Sequence, residues 1–154
     1  MKLKILTLAP FILGISACST TPPMSPPNLP FPSLEGTSWR LVELQSMDDA
    51  QGTERPSKPS NYTITFGEDG NLSARLDCNR ATGTWRNDIA NATGGSLTFG
   101  PLAVTKALCP EPTMGERLER QLPYVRSFVI RDGDLHMALM ADGGIIVWEP
   151  IKSM

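Results

Sequence analysis

The sequence predicts a mainly β fold: a small antiparallel β-barrel or strongly curved sheet, with one α-helix inserted before the last three strands. Three observations carry this expectation. Apolar residues recur at every second position through much of the chain from Leu34 onward, the period of a strand with one buried face. Asp-Gly turn sequences separate several of these runs at Glu68-Asp69-Gly70, Arg131-Asp132-Gly133 and Asp142-Gly143-Gly144. One stretch alone, Thr113 to Val125, changes to helical spacing. Eight or so short strands and one helix suit a barrel, or a sheet curled until it nearly closes.

The elements follow in order. Trp39-Arg40-Leu41-Val42-Glu43-Leu44 opens the first strand, and the polar run from Gln45 to Ser60 is expected to be a mobile loop. Tyr62, Ile64 and Phe66 share one face of the next strand, with Thr63 and Thr65 opposite. After the Asp-Gly turn, Leu72, Ala74, Leu76 and Cys78 share one face, and Ser73, Arg75 and Asp77 the other. Shorter strands are expected around Thr82–Arg86, Ser96–Phe99 and Val104–Cys109. Thr113-Met114-Gly115-Glu116 has the spacing of a capping box, and Leu118, Leu122 and Val125 continue at helical intervals until Pro123 disturbs the last turn. Strands near 126–130, 134–140 and 145–149 complete the pattern.

The first 33 residues are of a different kind. Residues 1–17 have the layout of an export signal, with Lys2 and Lys4 before an apolar stretch from Ile5 to Ile15 that is too short to span a bilayer. Ile15-Ser16-Ala17-Cys18 resembles a bacterial lipobox, in which the Cys18 thiol receives a diacylglycerol and the signal is removed before it. Several acyl chains on one residue give stable anchoring, at about 0.8 kcal/mol per buried methylene. Ser19 follows, where an Asp would signal retention in the inner membrane, so the expected location is the outer membrane, facing the periplasm. Residues 18–33 then form the lipidated cysteine and a linker. Six prolines between Ser19 and Ser33 suit a semi-rigid polyproline spacer, about 45 Å long at roughly 3.1 Å per residue. Residues 34–154 are the folded domain.

Removing residues 1–17 takes away two lysines and leaves 12 basic against 16 acidic side chains, a net charge of −4. Mild acidity argues against nucleic acid as a partner. The arginines alternate with acids, as in Arg75-Leu76-Asp77 and Glu116-Arg117-Leu118-Glu119-Arg120, and read as solvated faces of mixed charge.

With Cys18 assigned to lipid, Cys78 and Cys109 remain. An even pair in an exported chain is normally a disulfide, with free buried thiols as the alternative. Cys78, on the apolar side of its strand, would set the bridge against the core. Thirty residues lie between the pair, a loop whose closure contributes on the order of 3.5 kcal/mol. A catalytic cysteine needs a base, and His136 is the only histidine. In Leu135-His136-Met137-Ala138-Leu139 the alternation turns His136 away from the buried face and toward solvent. Two cysteines and one histidine fall short of four metal ligands, and no phosphate loop, nucleophile elbow or metalloprotease motif is present in the sequence. No catalytic residue, metal or cofactor is therefore expected. Asn61, Asn71 and Asn91 begin glycosylation sequons, which a bacterial lipobox makes accidental. Trp39, Trp85 and Trp148 are expected to pack in the core or at its rim.

Gly36-Thr37-Ser38-Trp39-Arg40-Leu41, the hairpin from Phe66 to Leu72, Cys78-Asn79-x-x-x-Gly83-x-Trp85, and Thr105-Lys106-Ala107-Leu108-Cys109 with Glu116 downstream resemble the META domain of HslJ-like bacterial proteins. The resemblance covers about residues 34–150. It departs at Ala74, where the family often has Gly, and at Leu108, where a smaller residue is usual. It implies a β-rich envelope domain linked in relatives to heat shock and antibiotic tolerance, with no settled enzymatic activity. Trp39, Cys78, Asn79, Gly83, Trp85, Thr105, Cys109 and Glu116 are then structural residues of the motif. The expected protein is a lipid-anchored, non-enzymatic envelope protein acting through contacts with an envelope protein not yet identified. Inhibition of an envelope hydrolase such as lysozyme, and carriage of a small apolar ligand, are the alternatives.

Overall fold

The computed structural model describes residues 33–48 and 50–152. The signal segment, Cys18 and nearly all of the proline-rich linker lie outside the described residues. Alternation of buried and exposed side chains builds the strands β1 (Ser38–Gln45), β3 (Tyr62–Phe66) and β4 (Asn71–Leu76), and Tyr62, Ile64 and Phe66 all face inward as their period requires. They continue into β5 (Asn79–Asn91), β6 (Gly94–Phe99), β8 (Val125–Arg131), β9 (Asp134–Leu139) and β10 (Ile145–Pro150). Two-residue strands β2 (Thr53–Glu54) and β7 (Ala103–Val104) pair with β1 and β5.

The ring runs β1–β3–β4–β5–β6–β8–β9–β10, antiparallel throughout, and β10 returns to β1 from Trp39 opposite Pro150 to Gln45 opposite Ile145. Of the two architectures expected, the closed eight-stranded barrel is the one formed. Closure satisfies the edge donors and acceptors that an open sheet leaves bare. A bulge between Leu41 and Glu43 bends β1 where it meets β10. The helix α1 (Gly115–Gln121) precedes the last three strands, as expected, and runs into a single 3₁₀ turn at Leu122–Tyr124 that contains Pro123.

Inside the ring Leu41, Ile64, Phe66, Leu97, Phe128, Leu135 and Trp148 are inaccessible to solvent or nearly so. Each end has a plug. Leu34 is fully buried at the end where β3 finishes, fixed by the Gly36 N–H donating to the Phe66 carbonyl at 2.8 Å. Leu118 and Leu122 are buried from α1 and its 3₁₀ turn, near the start of β3 and the end of β4, where the Met114 N–H donates to the Tyr62 hydroxyl at 3.1 Å. Gly115 is required there, because a Cβ would lie 2.7 Å from the Leu76 carbonyl oxygen.

Several local expectations are corrected. The strand β5 extends to Asn91, far past Arg86, because the β5–β6 hairpin projects beyond the core and its exposed Asp88–Asn91 carry no apolar period. The strand expected over Val104–Cys109 is only β7: Thr105 still gives its N–H to the Arg80 carbonyl of β5, but beyond it Ala107 is held by the Asn79 side chain and Cys109 by the disulfide. The capping box does not form: the cap residue is Met114, and the Thr113 hydroxyl accepts the N–H of Gly115 instead, at 3.2 Å. The segment between β1 and β3 is tied down by β2, by Arg55 paired with Glu43, and by Arg117 2.5 Å from Glu54. Asp77 is buried at a positive φ of 65°, not on a solvated strand face.

Candidate functional site

The residues of the Cys-Asn-Gly-Trp motif lie where the chain leaves β6 and runs on as a strap along the same edge of β5, through β7, on its way to α1. The strap starts opposite Gly83. A Cβ there would lie 2.7 Å from the Leu102 side chain and 2.8 Å from the Pro101 carbonyl, so only glycine lets the strap touch the sheet. Beyond β7 the strap is fastened by Asn79. Its amide accepts the Ala107 N–H at 2.8 Å and donates to the Ala107 carbonyl at 2.9 Å, which makes one side chain act as the next stretch of paired strand. The same Asn79 oxygen accepts the Thr105 hydroxyl at 2.9 Å, and Thr105 in turn accepts the Arg80 N–H and donates its own N–H to the Arg80 carbonyl, both at 3.0 Å.

Cys78 and Cys109 are joined by a disulfide with 5.6 Å between their Cα atoms. It does not sit against the core. The strand β4 ends at Leu76, and Cys78 is exposed in the two-residue turn Asp77-Cys78 that leads to β5. Asp77 makes that turn: its left-handed backbone is one that Asp tolerates, its N–H donates to the Asn61 carbonyl, and its carboxylate accepts the Asn61 amide, both at 2.9 Å. The sequence places Asn61 in a sequon and Asp77 on a polar strand face, and gives no sign that the two meet. A short polar residue at the end of an apolar alternation, just before a cysteine, was the available signal of the turn.

Trp85 is buried at the far end of the motif. It packs edge-to-face on Phe66 with centroids 5.0 Å apart and donates its indole N–H to the Gly67 carbonyl at 3.2 Å. Trp39 is also buried, and its indole donates to the Thr37 hydroxyl at 2.7 Å. Trp148 is wholly buried, its Nε1 without a partner among the described residues. Glu116 is not part of the cluster: it lies on α1, 3.5 Å from Arg120, across a cleft of about 200 Å³ whose other wall is Lys106, Ala107 and Leu108. Lys106 closes one side of that cleft through an ion pair with Glu119 at 2.5 Å. Leu108 projects into solvent, 97% exposed.

His136 stands on the outer face of β9, between Val129 of β8 and Val147 of β10. It is half-buried rather than open to solvent, because these neighbours flank it, and its Nδ1 has no partner among the described residues. Two strands of the ring, β8 and β6, separate β9 from β5, so the structure does not bring His136 to the cysteines.

A closed antiparallel barrel with a disulfide-tied strap along β5 defines a small β-barrel module whose marker residues hold its own chain in place. The chain belongs to the META domain family, whose model matches residues 32–149. It is similar in fold to a Burkholderia xenovorans protein solved by NMR, with a TM-score of 0.58 and 21% identity over 78% of this chain and 85% of that one. A DUF4847 family protein from Bacteroides vulgatus, known from a crystal structure, is similar with a TM-score of 0.52 and 16% identity over 77% of this chain and 95% of that one. Among curated proteins, no sequence matches this chain.

Proposed function

We propose that this META protein is a lipid-anchored, non-enzymatic component of the cell envelope that supports outer-membrane integrity under heat or antibiotic stress through protein contacts. The observation that carries the reading is how the motif residues are used. Asn79, Gly83, Trp85, Thr105 and the Cys78–Cys109 pair all face other parts of the same chain, engaged in fastening the strap and packing the core. Side chains so engaged are poor candidates for acid–base or nucleophilic work, which needs a free group beside a reacting atom. The ring interior is filled by Leu41, Phe66, Phe128, Trp148 and their neighbours, and both ends are plugged, which disfavours carriage of an apolar ligand inside it.

The export signal, Cys18 and the proline-rich spacer support the anchoring half of the proposal. A spacer of this kind holds a rigid module off a bilayer and leaves its surface available to neighbours. The test is a deletion strain challenged with heat, detergent and antibiotics, complemented by the wild-type chain and by Cys18→Ser. Sensitivity restored by wild type but not by Cys18→Ser is the expected result. Unchanged sensitivity on deletion defeats the stress role, and wild-type chain that takes up no fatty-acid label defeats the anchor.

A further inference from the structure

The strap displays a stretch of backbone prepared for a partner. Residues 105–110 run without turn or bend. In an extended chain successive backbone groups point to opposite sides. Thr105 and Ala107 turn theirs toward β5, where the Arg80 carbonyl and the Asn79 amide hold them. Lys106 and Leu108 turn theirs outward, and neither their N–H nor their carbonyl groups have a partner among the described residues. The Leu108 side chain stands 97% exposed between two fixed points, the Ala107 backbone clamped by Asn79 and Cys109 bonded to Cys78.

From this geometry we infer that Lys106–Pro110 is a substrate-like recognition strand for the cleft of a serine endopeptidase that accepts leucine in its primary pocket. Such a cleft reads an extended chain by pairing with the backbone of alternate residues and by seating one side chain in a pocket. Lys106 and Leu108 offer the backbone groups, and Leu108 offers the apolar anchor. The fastening of Thr105, Ala107 and Cys109 means that little conformational freedom is lost on docking, the condition for a tight complex. Should water cleave the Leu108–Cys109 bond, leaving a carboxylate on Leu108 and an amine on Cys109, both new ends stay in the cleft. Asn79 holds one and the disulfide holds the other. The inference rests on the reading that the protein acts through protein contacts, and it names the class of one partner.

The test titrates the detergent-solubilised full-length chain against subtilisin, chymotrypsin and trypsin. Inhibition of the first two and not of trypsin is expected. Leu108→Arg should weaken chymotrypsin inhibition about 100-fold and create inhibition of trypsin, while Leu108→Gly weakens all of it. Because the side chain contributes nothing to the core, both variants should keep the wild-type thermal midpoint. Absence of inhibition at micromolar chain, inhibition indifferent to position 108, or rapid turnover at Leu108–Cys109 without inhibition each overturn the inference. A deletion strain with unchanged stress sensitivity defeats the envelope role and leaves these inhibition constants untouched, so the two proposals fail separately.

Discussion

Replacing Asn79 by Ala removes the clamp that stands in for a paired strand. Four hydrogen bonds go with it: two to the Ala107 backbone at 2.8 and 2.9 Å, one from the Thr105 hydroxyl at 2.9 Å, and a weaker one to the Cys109 sulfur at 3.4 Å. Ala107 is exposed, so water replaces part of what is lost. At about 1 kcal/mol net for each of the better bonds, the expected destabilisation is about 2–3 kcal/mol. For a domain of this size that corresponds to a fall in thermal midpoint of about 8–12 °C. Asn79→Asp keeps an acceptor for Thr105 and the Ala107 N–H but sets its second oxygen against the Ala107 carbonyl, so it should recover less than half of the loss at neutral pH. Circular dichroism melts with the disulfide intact give the midpoint, and amide hydrogen exchange at Ala107 reports the clamp directly. A midpoint within about 2 °C of wild type, or unaltered exchange at Ala107, would show that Asn79 is not what fastens the strap.

Gly83→Ala drives a Cβ against Leu102 and the Pro101 carbonyl and should lower stability by about 1–3 kcal/mol, read as a shift in urea midpoint at constant slope. Cys78→Ser with Cys109→Ser should cost about 3–4 kcal/mol by freeing a 31-residue loop. The near-UV spectrum of Trp85 and Trp148 should survive, since the bridge lies outside the core. Leu118→Ala unplugs one barrel end and should cost about 2–5 kcal/mol in the same urea assay. The Asn71 backbone N–H and side-chain amide hold the Asp69 carboxyl below the usual carboxylate range. A depressed folded value makes its contribution present at neutral pH, above the unfolded value, and lost as pH falls through the folded one. An NMR titration should therefore find Asp69 deprotonating at lower pH than a model peptide, and Asn71→Ala, which removes the side-chain amide but keeps the backbone N–H, should move it only part of the way back up.

The barrel was legible because β3, β4, β9 and the turns between strands obey strict local rules. Period two sets the buried face, and the Asp132-Gly133 turn needs two positive φ angles that these residues supply at little cost. What escaped the sequence depended on partners distant in the chain. The end of β4 at Leu76 could not be seen from an alternation that runs on through Cys78, because Asn61, sixteen residues before Asp77, is what fixes Asp77 in its turn. The strap reads as a strand from Val104 to Cys109 because its residues alternate, yet its pairing partner after Thr105 is a side chain. Helix capping failed as an expectation because a Tyr62 hydroxyl takes the Met114 N–H, 52 residues away in sequence. The candidate site was visible as a set of residues, but not that its apolar outlier, Leu108, is held in solvent by the others.

The join between Trp39–Gln45 and Ile145–Pro150 couples the earliest strand to the latest. A chain synthesised amino end first must keep Leu41 and Leu44 waiting for about a hundred residues before their final neighbour arrives, a topology that folds slowly. Until then the nascent sheet has two bare margins open to strand exchange with other copies. A truncation that removes only the last strand should therefore yield sticky, interlocked material in place of a slightly weakened monomer.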